Sequence, residues 1–163
     1  MGHIQQIELI VCDLDGTLCD VKHRQHLAQA GQWDEFHSLL GKDEPRAMVW
    51  AFLQMALDLQ STGMPGPEII FLTGRPSNFR GETVKWLSEK CDLQLDDDYR
   101  DLLMRPVGDF SSDTVLKEQA LKDYLETNVI DQRMVLILDD REKVVAHLRD
   151  IGYDVWQIQE GAF

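Results

Sequence analysis

The chain has 163 residues, 44% of them hydrophobic, and carries 16 Lys and Arg against 29 Asp and Glu, for a formal net charge of −13. That length suits one domain with a real core, and the composition excludes a disordered chain. The acidity excludes a broad, non-specific grip on a phosphate backbone, yet leaves room for a local basic pocket and a cation site. No apolar run is long enough to span a bilayer and no signal-peptide pattern is present, so no membrane role is expected. Cys12, Cys19 and Cys91 lack zinc-like spacing and suit a reducing, cytoplasmic setting.

Ile7 to Cys12 is a short, continuously apolar run, expected as a buried strand. It leads straight into Asp13-Leu14-Asp15-Gly16-Thr17. Two carboxylates two residues apart at the end of a buried strand repel each other and lose hydration, a cost most simply offset by a bound cation. Gly16 permits a sharp turn, and Thr17 offers a hydroxyl and a backbone N–H. Residues 20 to 42 are polar and mixed, with a helix expected around Trp33 to Leu40. Pro45 is placed to open a helix at its first turn, with Ala47, Trp50, Ala51, Leu53, Gln54, Leu57 and Asp58 following at helical spacing. Gly63, Pro65, Gly66 and Pro67 stop it.

Glu68 to Leu72 is the second expected strand, ending at Thr73-Gly74-Arg75-Pro76. A helix follows over Phe79 to Lys90, with Val84, Trp86 and Leu87 as its apolar positions, and Asp96-Asp97-Asp98 reads as a solvated loop. Leu102 to Met104 is a short strand, and Asp113 to Glu126 a helix capped by Ser111 or Ser112. Met134 to Leu138 is a buried strand ending in Asp139-Asp140, Arg141 to Arg149 a helix, and Tyr153 to Gln157 a final strand. His23, His26 and His37 are expected as surface or packing residues, and Trp33, Trp50 and Trp86 as core; one of these rings, or Phe36, is the candidate for stacking on a base.

Strands separated by helices imply an α/β fold with a mostly parallel sheet covered on both faces, and ligands bind beyond the carboxyl ends of such strands. Asp13, Thr73 and Asp139 each fall at such an end, so one cleft can hold all three. The chemistry then has named parts. Asp13 is the nucleophile that attacks phosphorus, and Asp15, protonated, is the general acid and then the base for water. A hard cation, Mg2+, is expected on the Asp13 and Asp139 side chains and the Asp15 carbonyl, with Asp140 ligating through water or orienting the shell. Thr73 and the Gly74 N–H grip phosphate oxygens, and Lys117 supplies a fixed positive charge.

Asp13-Leu14-Asp15-Gly16-Thr17, Thr73 with Gly74, Lys117 and Asp139-Asp140 together resemble the four motifs of the haloacid dehalogenase superfamily, and Asp15 points to its phosphatases. The resemblance implies a Rossmann-like three-layer α/β/α sandwich filling residues 1–163, with a small helical cap insert at about 20–62. More narrowly, the stretch from Leu138 to Val145, then Arg149-Asp150-Ile151-Gly152, Trp156-Gln157 and Gly161-Ala162-Phe163, resembles the 3′-phosphatase domain of bacteriophage polynucleotide kinase-phosphatase. That resemblance implies substrate or phosphate-binding roles for Asp113, four residues before Lys117, for Arg24, eleven after Asp13, and for Arg75 after Thr73-Gly74. No Gly-x-x-x-x-Gly-Lys-[Ser/Thr] loop is present, so no kinase half is expected.

The resulting expectation is a magnesium-dependent phosphatase in nucleic-acid repair that removes the 3′-phosphate from a nucleotide or nucleic-acid end through an aspartyl-phosphate, in association with a separate kinase or ligase. The alternatives are a 5′-nucleotidase or small-metabolite phosphatase on the same fold, and a catalytically inactive nucleotide-binding protein.

Overall fold

The computed structural model describes residues 6–93 and 101–161. The Asp96-Asp97-Asp98 run lies outside these described residues. Five parallel strands form the central sheet: β1 (Leu9–Cys12), β4 (Glu68–Pro76), β5 (Leu102–Arg105), β6 (Val135–Asp139) and β7 (Asp154–Gln157), in the order β5-β4-β1-β6-β7. The expected strands are all present, each within a few residues of its predicted limits. β1 lies at the centre, with Leu9 opposite both Glu68 and Val135. Because the chain moves outward on one side of β1 and then crosses to the other, the carboxyl end of β1 opens into a crevice between its neighbours.

The alternation of side chains along these strands feeds two separate cores. Ile10, Cys12, Ile69, Phe71, Leu136 and Leu138 face one way, against α3 (Ala47–Ser61) and α4 (Arg80–Cys91) through Val49, Leu53, Ala56, Trp86 and Leu87. Leu9, Val11, Ile70, Leu72, Val135 and Ile137 face the other way, against α5 (Asp113–Asn128) and α6 (Glu142–Asp150) through Leu121, Leu125, Val144, Val145 and Leu148. This is the three-layer α/β/α arrangement. The Ser112 hydroxyl caps α5 by accepting from the Val115 N–H, so of the two candidate caps Ser112 is the one used.

Between β1 and β4 the chain makes two short strands, β2 (Cys19–Asp20) and β3 (Glu44–Pro45), which pair antiparallel, and two short helices, α1 (Gln25–Gln29) and α2 (Trp33–Ser38). Pro45 was expected to open the next helix and does not. It sits in β3 opposite Cys19, and the helix begins at Ala47. Proline's fixed φ and missing N–H suit a short edge strand as well as a first helical turn, and pairing with β2 decides between them. α3 falls inside the stretch expected as an insert, yet packs on the sheet. Among the described residues no helix is long and apolar enough to cross a membrane.

Gly16 turns the chain out of β1 with φ +88, where L side chains rarely sit. A Cβ there would lie 2.2 Å from Asp140 Oδ2. Gly16→Ala is expected to cost more than the roughly 1–3 kcal/mol of a strained backbone alone, because Asp140 must also move. A urea melt that shifts by less than about 1 kcal/mol would contradict that close fit.

Candidate active site

Asp13 and Thr73, at the carboxyl ends of β1 and β4, line one cleft, and Asp139, at the end of β6, lies beside Asp13 without lining it. Asp13 is 5% exposed, Thr73 and Asp139 1%, Asp140 2% and Lys117 2%. Lys117 reaches in from α5 and places Nζ 2.9 Å from Asp13 Oδ1 and 2.6 Å from Asp139 Oδ2. The Thr17 hydroxyl lies 3.3 Å from both Asp13 Oδ2 and Asp140 Oδ1, tying the two acids together. Thr17 is fully buried, so its hydroxyl serves these acids.

Two of these three buried carboxylates therefore share one ammonium, and the third, Asp140, is tied in through Thr17. Burial pushes the Asp13 carboxyl well above its ordinary range; Lys117 opposes that and Asp139 and Asp140 add to it. Burial and the Asp139 charge push Asp140 up to about 6. Lys117 is held charged: burial works against it, but Asp13 and Asp139 outweigh burial. Asp13, Asp139 and Asp140 each offer a carboxylate oxygen, all within 4.8 Å of one another. An all-oxygen donor set with surplus negative charge fits a hard divalent cation such as Mg2+.

Asp15 has a different environment. Its carboxylate accepts from Arg24 Nη2 at 2.6 Å and from Arg75 Nη2 at 2.5 Å and Nε at 3.0 Å. Both arginines are fully buried and also bind Asp43, at 2.5 Å from Arg24 Nη2 and 3.2 Å from Arg75 Nη2. The structure places the two arginines expected at the substrate behind Asp15. Arg24 and Arg75 do not line the cleft; they are spent on holding Asp15 and Asp43. Burial opposes ionisation of Asp15, yet Arg75 and then Arg24 outweigh it and hold the carboxyl well below the carboxylate range. Asp15 therefore rests as a carboxylate rather than as the protonated acid expected. Its side-chain oxygen groups with Cys19 and Asp43 rather than with the Asp13, Asp139 and Asp140 cluster.

Asp113 is likewise engaged. Its carboxylate lines the cavity and accepts from Arg105 Nη2 and Arg141 Nη1, so the residue expected at the substrate also holds two arginines in place. Arg105 further donates to the carbonyls of Gly74 at 3.2 Å and Ser111 at 2.8 Å. Asp43 and Arg105 are residues that sequence reading missed. Arg141 was noted only as a helix start. No local pattern marks Asp43, whose arginine partners lie 19 and 32 residues away.

A cavity of about 390 Å³ opens over these groups, lined by Asp13, Asp15, Thr73, Gly74, Lys117, Arg105, Asp113 and Arg141, and further out by Trp33, Asp34, Phe36, His37, Pro106, Gly108, Asp109 and Phe110. Trp86 is core at 1% exposure and Trp50 packs against the same core, as expected; Trp33 is not core, being 45% exposed at the cavity. His37 is a packing residue, wedged among Trp33, Phe36 and Phe79, and burial lowers it to about 4.

A parallel sheet that gathers Asp-x-Asp, a Thr-Gly turn, a buried lysine and an Asp pair at its carboxyl edge defines a phosphatase of the haloacid dehalogenase class. The chain belongs to the family of the polynucleotide kinase PNKP phosphatase domain, whose model matches residues 7–163. Among solved structures it is similar to a chain of the Pnkp1/Rnl/Hen1 RNA repair complex, at 27% identity and TM-score 0.71, covering 98% of this chain and 45% of that one. A second structure of the Pnkp1/Rnl/Hen1 complex gives 26% identity and TM-score 0.69, over 97% and 47% of the two chains. This chain thus spans slightly less than half the length of those relatives. A haloacid dehalogenase-like hydrolase from Streptococcus pneumoniae, at 15% identity and TM-score 0.56 over 96% and 88%, shares the fold. No curated protein matches the chain in sequence.

Proposed function

We propose that this phosphatase removes the 3′-phosphate from a nucleotide or nucleic-acid end, with Mg2+ as cofactor. The family match along residues 7–163 carries the 3′ reading. The Asp13, Asp139 and Asp140 oxygens carry the metal reading. When bound, the cation neutralises the phosphate and holds it against the nucleophile. Asp13, fixed by Lys117 and Thr17, forms a bond to phosphorus as the bond to the 3′ oxygen breaks. Asp15 takes up a proton from solvent as the phosphate binds and passes it to the leaving oxygen. Asp15 then accepts a proton from water, which attacks phosphorus and frees Asp13.

The arginine clamp sets the direction of Asp15 and disfavours its acid form. A phosphate dianion arriving beside it pushes the other way and raises Asp15 toward a proton donor's range. Thr73, the Gly74 N–H and Lys117 face the phosphate, and Arg141 adds positive charge at the cavity wall. The three cysteines are buried and unpaired, which supports a reducing, cytoplasmic setting. The likeness to chains of the Pnkp1/Rnl/Hen1 complexes supports work alongside a kinase or ligase in repair.

The test compares a 3′-phosphorylated oligonucleotide, a 3′-mononucleotide, a 5′-mononucleotide and a sugar phosphate, with Mg2+ and with a chelator. Turnover is expected on the first two and lost with the chelator. Activity confined to the last two would favour a nucleotidase or metabolite phosphatase and overturn the 3′ reading. Absence of turnover on all four would favour an inactive nucleotide-binding protein.

A further inference from the structure

We propose that Trp33 and Phe110 form a nucleobase subsite at the mouth of the phosphate cavity. This rests on the phosphatase reading above and narrows the substrate to a phosphate ester carrying an aromatic base. The cavity is graded in chemistry with depth. Asp13, Thr73 and Lys117 lie at its buried end, each at most 5% exposed, whereas Trp33 is 45% and Phe110 96% exposed. Two large apolar rings from unrelated segments thus line the opening of a cavity whose buried end is polar. An exposed ring gains nothing from burial in the free protein, and it gains most when a flat apolar partner covers it.

The Trp33 ring is held by neighbouring rings, and Phe110 by the backbone that carries it. Trp33 stacks on His37 with ring centres 6.4 Å apart and planes 29° apart, and meets Phe36 edge-on at 5.8 Å. Phe110 stands on a turn pinned from both sides. Arg105 Nη1 donates to the Ser111 carbonyl at 2.8 Å, Asp109 N–H donates to the Pro106 carbonyl at 3.1 Å, and the Asp109 carboxylate accepts from the Ser111 N–H at 2.8 Å. Platforms fixed in this way lose little freedom on binding.

The charges at the mouth limit the occupant to one nucleotide. Asp34 and Asp109 lie beside the rings, and the lining cations Lys117, Arg105 and Arg141 are all bonded to the site's own acids. A phosphate flanking the terminal nucleotide would meet carboxylates rather than a basic track. The subsite therefore takes the base of the terminal nucleotide, whose phosphate reaches Thr73 and Asp13.

The test measures kcat and KM on a 3′-mononucleotide, a 5′-mononucleotide and 3′-phospho-deoxyribose lacking a base. Trp33→Ala and Phe110→Ala are each expected to raise KM for the base-bearing substrates roughly 5- to 150-fold, the range of a lost base–aromatic stack, and Trp33→Phe should recover most of it. The ratio of kcat/KM with and without a base falls in each alanine variant. Equal losses on base-bearing and base-free substrates, or no rise in KM, would overturn the subsite. Ring-dependent KM on the 5′-mononucleotide alone would keep the subsite and overturn the 3′ reading. Turnover of the 3′-mononucleotide indifferent to both rings would do the reverse.

Discussion

Asp13→Asn is expected to abolish phosphate release while leaving the metal-free fold at least as stable as the parent. The amide cannot attack phosphorus, so turnover should fall by at least about 10³-fold, the order seen when a covalent nucleophile is removed. Stability should go the other way. Asp13 is one of three clustered buried carboxylates, two of which share a single lysine, and its own carboxyl is pushed up by burial and by Asp139 and Asp140. Removing one of those charges relieves repulsion and keeps Lys117 bonded to Asp139 at 2.6 Å. The pair of measurements is steady-state turnover with Mg2+ and a thermal melt without it. A variant that keeps its activity would refute the assignment of Asp13 as nucleophile, and one that melts well below the parent would refute the relief of repulsion.

The second large effect concerns a residue with no part in the reaction. Asp43→Ala should lower the unfolding free energy by about 3–5 kcal/mol, the cost of breaking a buried ion pair and leaving charge behind. Asp43 is fully buried, accepts from Arg24 and Arg75, and receives His23 Nε2 at 2.8 Å. Without it, two buried guanidinium groups have Asp15 as their remaining carboxylate partner in this network. Activity should fall as well, because both arginines then pull on Asp15 and redirect it. Asp43→Asn should lie between the parent and the alanine variant, since the amide still accepts hydrogen bonds without the charge. The measurement is the urea midpoint at unchanged slope, and a loss under about 1 kcal/mol would show the clamp to be dispensable.

The residues that sequence reading found and those it missed divide on a physical line. The sheet was legible because a buried parallel strand must be a continuous apolar run, and Ile7–Cys12 and Met134–Leu138 are such runs. The acids at their ends were legible because a carboxylate there is costly without a purpose. The environments of those acids were not legible. Arg24 and Arg75 were identified as functional positions, but only the folded chain places Asp43 between them and turns both onto Asp15. The same holds for Asp113, whose carboxylate is satisfied by Arg105 and Arg141 from two other elements. Pro45 was misplaced for a related reason: its local preference was compatible with two states, and a strand far off in sequence chose one.

The central position of β1 has a consequence for how the chain acquires its chemistry. Leu9 pairs with Glu68 on one side and with Val135 on the other, so the strand that leads into Asp13 is made early and completed late. Loop closure over such separations is paid before any pairing rewards it, which makes this topology slow to fold and gives it a high contact order. During synthesis the apolar run 9–12 waits for residues more than a hundred positions downstream before both its edges are covered. Until then Asp13 has neither Lys117 nor Asp139 beside it. Catalytic competence thus arrives only with the last third of the chain, and a truncated or stalled product exposes an aggregation-prone strand without any capacity to turn over substrate.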